Sequence, residues 1–287
     1  MDIKQLIKKE NLLYEGKSKN VYRITEGEYT GKYGFVFTDR GTGYIDTTGM
    51  TVFDPGYDNV VGEIAGKGAI ACKFATHFFK FLEENKVPSH YIATVADNVM
   101  IVEPANPISM PMESPEFAGS APLLNLEFTW RNNAMGSFWR RYPFSRPCRD
   151  LGKVVEAWTK GKSDILITYE ALDAQGVMSR KEIDFVDKLV KDIAKVVTEQ
   201  LAQKGLHAID GKLELGRLKS GDGKIVLIDE ISPDVLRVCK GYKPDKTGNC
   251  TVYHECIKTA IADGKRTISG KNQVDASEVE KIFLGKG

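Results

Sequence analysis

The alternation of apolar and polar residues predicts a chain of short strands interrupted by a few amphipathic helices. Runs rich in β-branched and aromatic residues, bounded by Gly, Asn or Pro, predict strands at residues 12–24, 32–37, 91–102 and 124–130. Residues 68–84 instead carry apolar side chains at helical spacing, and Asn85 and Pro88 are expected to end that helix. The pattern therefore predicts helices and strands in one chain.

A longer helix is predicted to begin after Ser179, because Ser179-Arg-Lys-Glu182 has the form of a capping box. Its apolar stripe runs from Ile183 to Leu201, and Gly205 suits the position just beyond the helix. We interpret this stripe as core. Two surface helices are predicted further along, at residues 251–263 and 275–284.

Two segments rich in glycine or proline are predicted to lack regular structure. Residues 41–59 carry Gly41, Gly43 and Gly49 before Pro55, and we expect them to form a long loop. Residues 103–122 hold five of the 11 prolines and are expected to be a connector. A domain boundary at this connector divides the chain into residues 1–110 and 111–287.

The stretch from Leu206 to Arg237 is the centre of the functional prediction. Two apolar strand-type runs flank Ser220-Gly-Asp-Gly223, which is a hairpin signal. A two-residue loop at Gly221-Asp222, or a four-residue loop over residues 220–223, would place Glu214 directly opposite Asp229. A three-residue loop would break that pairing.

Charged residues alternate along the first of these strands, so Asp210, Lys212 and Glu214 are predicted to share one face. Opposed carboxylates of Glu214 and Asp229 would lie about 5 Å apart and repel each other unless a cation neutralised them. Mg²⁺ suits such a site, because it binds one or two carboxylates together with water and phosphate. Lys212 is a candidate to hold a phosphate oxygen. The alternative is an ordinary hairpin with a solvated charged face.

Basic residues at two other places indicate anion binding. Gly16 allows a close approach of the backbone, and Lys17 and Lys19 on alternate positions are candidates to meet a polyphosphate. The alternative there is a plain hairpin turn. Residues 131–141 combine arginines with a Gly-Ser pair and two aromatic residues, and the planar fork of Arg fits phosphate or carboxylate. A basic surface turn with its aromatic residues in the core is the alternative there, and both can hold together.

Composition and charge narrow the function classes. The 287 residues are 42% apolar and 28% charged, which is ordinary for a globular protein of one large or two modest domains. With 40 basic and 39 acidic residues, the net charge of +1 gives no general attraction to nucleic acid or to a membrane.

The sequence also favours a cytoplasmic location. It has no signal-like start and no apolar run of membrane-spanning length, and its five scattered cysteines are expected to be reduced thiols. Cys250, His254 and Cys256 lie close together but lack a second pair of ligands at a zinc-like spacing. We therefore predict no zinc site there.

Taken together, these segments resemble the SAICAR synthetases, the ATP-dependent ligases of purine biosynthesis. The most specific match is Asp-x-Lys-x-Glu-x-Gly at residues 210–216, followed by Asp-Glu-x-Ser-Pro-Asp-x-x-Arg at residues 229–237. The other matching segments, in the family's order, are residues 14–22, 66–68 and 131–141. The resemblance extends from about Leu12 to Arg237.

The resemblance implies an α+β fold with an N-terminal antiparallel β lobe, a C-terminal ATP-grasp-like α+β lobe, and ATP in the cleft between them. By matching position, it implies ATP contacts for Gly16, Lys17, Lys19 and Val21. It implies Mg²⁺ ligation by Glu214 and Asp229, and catalytic roles for Lys212 and Asp210. The implied substrate-binding residues are Arg131, Ser137, Arg237 and Asp234. The partners would be small molecules, and a homo-oligomer is left open.

The implied reaction joins aspartate to carboxyaminoimidazole ribotide. A carboxylate is a poor electrophile, so transfer of the ATP γ-phosphoryl group would first make an acyl phosphate, which the aspartate amine then attacks. Positioning and charge neutralisation supply most of such catalysis. No Ser-His-Asp or Cys-His arrangement stands out in the sequence, which agrees with this chemistry.

The chain departs from the family pattern where the substrates would be recognised. Residues 160–165 keep one Asp of an expected Lys-x-Asp-x-x-x-Asp-Pro segment and lack its Asp-Pro pair. Val235 and Leu236 stand where small polar residues are usual, and residues 41–50 and 104–122 look like insertions. Two alternatives therefore stay open. One is a paralogous amide ligase for a different azole ribotide or amine, and the other is a non-catalytic nucleotide-binding homologue.

Overall fold

The computed structural model describes residues 8–53, 57, 59–111, 123–146, 148–161, 164–232, 234–239, 242–244 and 250–252. After a short 3-10 helix at Lys9–Asn11, the elements up to residue 102 are β1 (Leu12–Glu15), β2 (Lys19–Arg23), β3 (Tyr33–Phe37), β4 (Arg40–Ile45), β5 (Thr51–Phe53), β6 (Val60–Glu63), α1 (Lys67–Glu84), β7 (Tyr91–Ala96) and β8 (Val99–Val102).

The remaining elements begin with two short strands in the proline-rich segment. They are β9 (Ala105–Pro107), β10 (Ser109–Pro111), β11 (Leu123–Asn133), α2 (Gly136–Arg141), β12 (Asp150–Thr159), β13 (Leu166–Ile167), α3 (Tyr169–Ala174), α4 (Arg180–Gln203), β14 (His207–Leu218), β15 (Ile225–Ile228), β16 (Leu236–Cys239), β17 (Tyr242–Pro244) and β18 (Cys250–Val252). The chain is thus a mixed α+β protein, as expected.

The N-terminal sheet is antiparallel and has the strand order β1-β2-β3-β8-β7. Helix α1 covers it with the apolar stripe that the sequence predicted, and Phe74, Phe78 and Leu82 are fully buried. The helix ends at Asn85, whose backbone N–H donates to the carbonyl of Phe81. Burial of this stripe fixes α1 against the sheet.

A small sheet of order β5-β4-β6 occupies the segment that was expected to be a loop. The prediction of a loop at residues 41–59 was therefore wrong for β4 and β5, while residues 54–56 and 58 lie outside the described residues. Its glycines permit close strand contact, since a Cβ on Gly43 would lie 1.9 Å from the Val52 carbonyl oxygen. Glycine depresses strand propensity, which is why the local sequence concealed these strands.

The second sheet is organised by the long strand β14. Its main order is β13-β12-β11-β14-β15, while β9 and β16 also pair with β14 and β10 pairs with β11. The expectation that residues 103–122 hold no element was therefore wrong for β9 and β10, and residues 112–122 lie outside the described residues. Because β14 contacts four strands, its side chains reach several parts of the molecule.

Helix α4 packs on this sheet and begins as predicted. The backbone N–H of Ser179 donates to the Glu182 carboxylate at 2.8 Å, which completes half of the capping box. The predicted stripe is buried from Ile183 to Leu201. One hydrophobic core contains residues of both α1 and α4 and of both large sheets.

The segment that follows α1 ties the two large sheets together. Leu227 of β15 donates its N–H to the Pro88 carbonyl at 3.1 Å, and His90 donates its N–H to the Leu227 carbonyl at 2.9 Å. These two bonds form a parallel bridge between Ser89 and Leu227. The end of β15 is therefore held from the N-terminal side of the chain.

Two other expectations meet the structure only in part. Cys72 is a buried free thiol, but Cys148 is disulfide-bonded, so the expectation that all five cysteines are reduced was wrong. The first residues of the predicted helix 251–263 lie in strand β18, and the rest of it, the helix at 275–284, His254 and Cys256 lie outside the described residues. None of the helices that the structure describes combines the length and apolar character that a membrane span requires.

Candidate active site

The turn between β1 and β2 presents two lysines to one cavity. Gly16 donates its N–H to the Lys19 carbonyl at 2.9 Å, and a Cβ at Gly16 would lie 2.9 Å from that oxygen and from the Tyr14 ring. Only glycine fits this close approach. Lys17 and Lys19 line the same cavity, as their alternate spacing predicted.

Lys19 is a buried cation of the site. Its Nζ lies 2.8 Å from Asp229 Oδ1 and 2.6 Å from Glu230 Oε1, and the Ser18 hydroxyl donates to Glu230 at 3.2 Å. Burial alone would lower the pKa of Lys19, but the attraction of Asp229 and Glu230 outweighs it and raises the pKa. Lys19 therefore stays charged.

The predicted register of the β14–β15 hairpin was wrong by one residue. Glu214 pairs with Ile228, and Leu215 pairs with Leu227. The Leu218 N–H donates to the Lys224 carbonyl, so residues 219–223 form a connection of odd length. An odd connection shifts the pairing that a two- or four-residue loop would give.

Asp229 nevertheless reaches the same cavity as Glu214, because its backbone leaves the strand conformation. Its φ of +70° lies in the left-handed region, which is uncommon for a residue other than glycine. In a regular strand, the residue after Ile228 would point to the opposite face. The local turn therefore brings the two carboxylates together, which the sequence had attributed to direct pairing.

The two carboxylates repel each other inside a cluster of lysines. Burial and the charge of Asp229 raise the pKa of Glu214, against the attraction of Lys160. Burial also acts to raise the pKa of Asp229, but Lys19 and Lys160 outweigh it and lower that pKa. Lys160 forms an ion pair with Glu214. A cation between the carboxylates would relieve their repulsion.

Arg131, Asp210 and Arg237 converge because neighbouring strands carry them in register. Arg131 of β11 pairs with Asp210 of β14, which in turn pairs with Arg237 of β16. Arg131 Nη1 donates to Asp210 Oδ2 at 3.0 Å, and Arg237 Nε donates to Asp210 Oδ1 at 3.1 Å. Ser137 accepts a bond from Arg131 Nη2 at 3.2 Å. The predicted group thus forms one cluster.

Gly136 makes room for this cluster at the start of α2. Its φ is +57°, and a Cβ there would lie 2.5 Å from Nη1 of Arg237. A side chain would push the guanidinium out of place. The Gly-Ser pair noted in the sequence is therefore explained by backbone geometry together with steric room.

Lys212 and Asp234 complete the set of predicted residues. Lys212 Nζ lies 2.9 Å from Glu127 Oε2, and its side chain is 41% exposed, so it remains accessible from the cavity. Asp234 pairs with the buried Lys67 at 2.6 Å. Both predicted residues line the cavity that also holds Lys19 and Glu214.

Three adjoining cavities contain these residues. The apolar cavity has a volume of about 460 Å³, and its lining includes Val21, Phe35, His90, Val102 and Ile228. The central cavity, of about 280 Å³, is lined by Lys17, Lys19, Lys67, Glu214, Asp229 and Asp234, among others. The cationic cavity, of about 600 Å³, is lined by Arg131, Ser137, Arg140, Arg141, Asp210 and Arg237, among others.

Shared walls put these cavities in a fixed order. Val21, Lys160, Glu214 and Asp229 line both the apolar and the central cavity. Glu127, Lys212 and Val235 line both the central and the cationic cavity. The site therefore runs from an apolar end, past the acidic pair, to a cluster of arginines.

Comparison with known proteins identifies the family of the chain. The family model for SAICAR synthetase matches residues 12–250. The chain belongs to the SAICAR synthetase family. A phosphoribosylaminoimidazole-succinocarboxamide synthase of Clostridium tetani is 36% identical over 235 residues, which cover 80% of this chain and 92% of the relative. One of Nitratiruptor is 30% identical over 265 residues, covering 88% and 97%.

Solved structures of SAICAR synthetases share the fold. A SAICAR synthetase in complex with ADP has a TM-score of 0.68 and 26% sequence identity, and the match covers 95% of this chain and 97% of that one. The enzyme from Ehrlichia chaffeensis has the same TM-score at 20% identity, covering 96% and 99%. The second likeness concerns the fold alone.

Sequence reasoning gave no role to several charged residues that line or adjoin these cavities, among them Lys67, Glu127, Glu156 and Glu230. Lys67 and Glu230 fall inside motifs that were recognised, but neither received a role. Glu156 accepts from Arg131 Nε at 2.7 Å and also bonds Arg141, and Arg141 stacks 4.5 Å from the Trp158 ring centroid. Only the pairing of β11 with β12 could reveal Glu156, because its partners lie far away in sequence.

Proposed function

We propose that this chain is a phosphoribosylaminoimidazole-succinocarboxamide synthase, which uses ATP to join aspartate to carboxyaminoimidazole ribotide. The observation that carries the proposal is the order of the three cavities. The base of ATP needs an apolar pocket, and its phosphates need a pocket lined by lysines. The ribotide phosphate needs a second anion site, which must lie beyond the phosphoryl group that is transferred. The apolar, central and cationic cavities offer these environments in that order.

In the proposal, the adenine of ATP occupies the apolar cavity and its phosphates extend into the central cavity. Val21 lines both spaces, so it would lie beside the nucleoside. Gly16 would let the turn backbone approach the phosphates, with Lys17 and Lys19 supplying positive charge. The β1–β2 turn would thus bind the triphosphate in the cavity that the acidic pair also lines.

Glu214 and Asp229 fit a divalent ion. Both are carboxylates, and Asp229 lies close to the charged groups of Lys19 and Lys160. The Oε2 atom of the neighbouring Glu230 is buried and accepts no hydrogen bond within the described part of the chain. A pair of carboxylates suits Mg²⁺, which takes phosphate and water as its other ligands. Bound there, Mg²⁺ would neutralise phosphate charge.

The ribotide phosphate is assigned to the cationic cavity. Arg131, Ser137 and Arg237 are the proposed ligands, and Asp210 bonds both guanidinium groups. Asp210 therefore fixes the direction of the two donor forks before substrate arrives. With its phosphate held there, the ribotide would point its carboxylate toward Lys212 at the boundary with the central cavity.

The chemistry proposed at that boundary takes two steps. The ribotide carboxylate attacks the γ-phosphorus and releases ADP, and Lys212 stabilises the negative charge on the transferring phosphoryl group. The aspartate amine then attacks the acyl carbon, and phosphate leaves with the former carboxylate oxygen. Asp234, held by Lys67, is assigned to binding the amine substrate.

We extend the proposal to the domain organisation, the partners and the location of the protein. It includes an N-terminal β lobe of residues 1–110 and an ATP-grasp-like lobe of residues 111–287, with substrates between them. It also includes small-molecule partners and a cytoplasmic location. The disulfide at Cys148 is the observation that stands against a fully reduced cytoplasmic chain.

The test is a turnover assay with purified protein, Mg²⁺-ATP, carboxyaminoimidazole ribotide and aspartate. We expect ADP release that requires both other substrates, with a succinocarboxamide product by mass spectrometry. The variant Lys212→Met should lower kcat on the order of 10²–10³-fold. Its control is Lys224→Met, an exposed lysine of the same hairpin that is not among the residues lining the three cavities. Folded protein that gives no aspartate-dependent ADP would refute the proposal.

One observation favours a second candidate, a paralogous amide ligase with the same acyl phosphate step. Val235 lines both the central and the cationic cavity, where the family pattern has a small polar residue. A panel of amines and azole carboxylates in the same assay separates the two functions. A strong preference for aspartate would exclude the paralogue, and faster turnover of another amine would support it.

A further inference from the structure

The left-handed turn at Asp229 has a hydrogen-bonding partner outside its own hairpin. His90 Nε2 lies 3.3 Å from the Asp229 carbonyl oxygen, and a carbonyl can only accept, so the imidazole donates. A non-glycine residue in this conformation is strained and persists where its surroundings hold it. The His90 bond acts directly on the peptide unit that leaves the strained residue.

His90 is itself held rigidly. Its side chain is buried, and its ring packs at 5.3 Å from Phe35 and 5.7 Å from Phe79 between ring centroids. Its N–H bonds the Leu227 carbonyl, and its carbonyl accepts the Glu103 N–H at 2.7 Å. His90 therefore contacts the chain on both sides of Ile228, through its backbone at Leu227 and through its side chain at Asp229.

His90 also lines the apolar cavity, while Asp229 lines both the apolar and the central cavity. From these contacts we infer that His90 is a positioning residue, which holds the Asp229 turn so that its carboxylate faces Glu214 and the place proposed for Mg²⁺. The inference rests on the proposed function, because it concerns how the acidic pair is arranged for Mg²⁺ and nucleotide.

The bond predicts a specific loss when the donor is removed. Without it, the Asp229 peptide is free to relax toward strand geometry, and the carboxylate then turns away from Glu214. Groups that orient metal ligands typically change metal affinity by about 10–100-fold when they are replaced. His90 also lines the apolar cavity that is assigned to adenine, so metal-free ADP affinity is expected to fall in any His90 variant. The Mg²⁺-dependent part of the affinity, compared between two variants of similar size, isolates the bond to Asp229.

The experiment compares His90→Met with His90→Gln. The two side chains have nearly the same length, but only Gln carries an N–H near the position of Nε2. Calorimetry with ADP, at rising Mg²⁺ and without Mg²⁺, measures the metal-dependent part of affinity. We expect His90→Met to weaken the Mg²⁺-dependent part of ADP affinity by about tenfold, and we expect His90→Gln to keep most of it. In turnover, KM for Mg²⁺-ATP should rise more than kcat falls.

His77, a half-buried histidine of α1, offers the control. His77 also packs on aromatic rings, those of Phe78 and Phe81, and makes a 3.3 Å bond, to Gln200, away from the three cavities. His77→Met should lower the melting temperature and leave Mg²⁺-dependent affinity unchanged.

Two results would overturn the inference. One is wild-type Mg²⁺ dependence in His90→Met, and the other is an equal loss in His90→Gln and His90→Met. Failure of the wild-type protein to bind Mg²⁺-ADP at all would instead refute the proposed function, so the two failures are distinguishable.

Discussion

At the scale of the residue, Asp229 is the position where local geometry decides the chemistry. Its φ of +70° costs on the order of 1–3 kcal/mol for such strained backbone. This backbone conformation places Asp229 Oδ1 2.8 Å from Lys19 Nζ. It also places the carboxylate in the cavity that Glu214 lines. Asn is also tolerated in this backbone region, so Asp229→Asn removes the charge and keeps the turn.

Neutral variants of the acidic pair test its role directly. We expect Glu214→Gln and Asp229→Asn each to reduce the Mg²⁺-dependent part of ADP affinity by about tenfold or more, because each removes a formal charge facing the cation. Circular dichroism should be unchanged. Asp222→Asn, in the exposed connection of β14 and β15, is the control. Unchanged Mg²⁺-ADP affinity in both acidic variants would contradict the metal assignment.

At the scale of the element, α4 illustrates a helix whose limits are written in its own sequence. Ser179 and Glu182 form the capping box, and Glu182 also pairs with Arg217 of β14. The hydrogen bond from Arg217, partly opposed by burial, lowers the pKa of Glu182. The helix start is thereby tied to the strand that carries Lys212 and Glu214.

Removing the cap should lower stability without touching the chemistry. We expect Ser179→Ala to reduce the free energy of unfolding by about 1 kcal/mol, measured by urea denaturation, with kcat unchanged. Ser220→Ala, in the exposed connection between β14 and β15, should change it by less than about 0.5 kcal/mol. A drop in kcat with stability unaltered would mean that Ser179 does something other than cap the helix.

At the scale of the whole molecule, the site is a junction between sheets. The central cavity is lined by residues of β1, β2 and α1 on one side and of β14 on the other. One hydrophobic core contains residues of α1 and β14 and packs against Val21 of β2. The described residues should therefore unfold as one cooperative unit, and a nucleotide bound in the cavities should stabilise all of them.

Ligand-linked stabilisation tests this view. At a concentration of 100 Kd, Mg²⁺-ADP should raise the free energy of unfolding by about 2.7 kcal/mol, seen as a higher Tm in calorimetry. The rise should be smaller for ADP with a chelator, and the gain from Mg²⁺ should vanish in Asp229→Asn. Hydrogen exchange should slow at the β1–β2 turn and at the end of β15 together. Protection confined to one of them would contradict a site shared between the sheets.

The comparison of sequence with structure divides by the range of the interactions. Helices α1 and α4 and the strands flanking the site were predictable, because apolar periodicity and a capping box are local signals. The small sheet of β4, β5 and β6 was missed because glycine is a poor strand former by itself. Gly41 and Gly43 are required in β4 only because Phe53 and Val52 of β5 pack so closely against them.

The sequence by itself determined part of the site's composition, since strand alternation and two dense motifs select Lys19, Lys212, Glu214 and Asp229, which the structure places around one cavity. Only the tertiary structure decided how they meet. The odd-length turn at residues 219–223 shifts the register, and the left-handed Asp229 restores the approach of the carboxylates. Glu156 and His90 act on partners 25 and 139 residues away, and contacts at such separations come from packing, which no short pattern encodes.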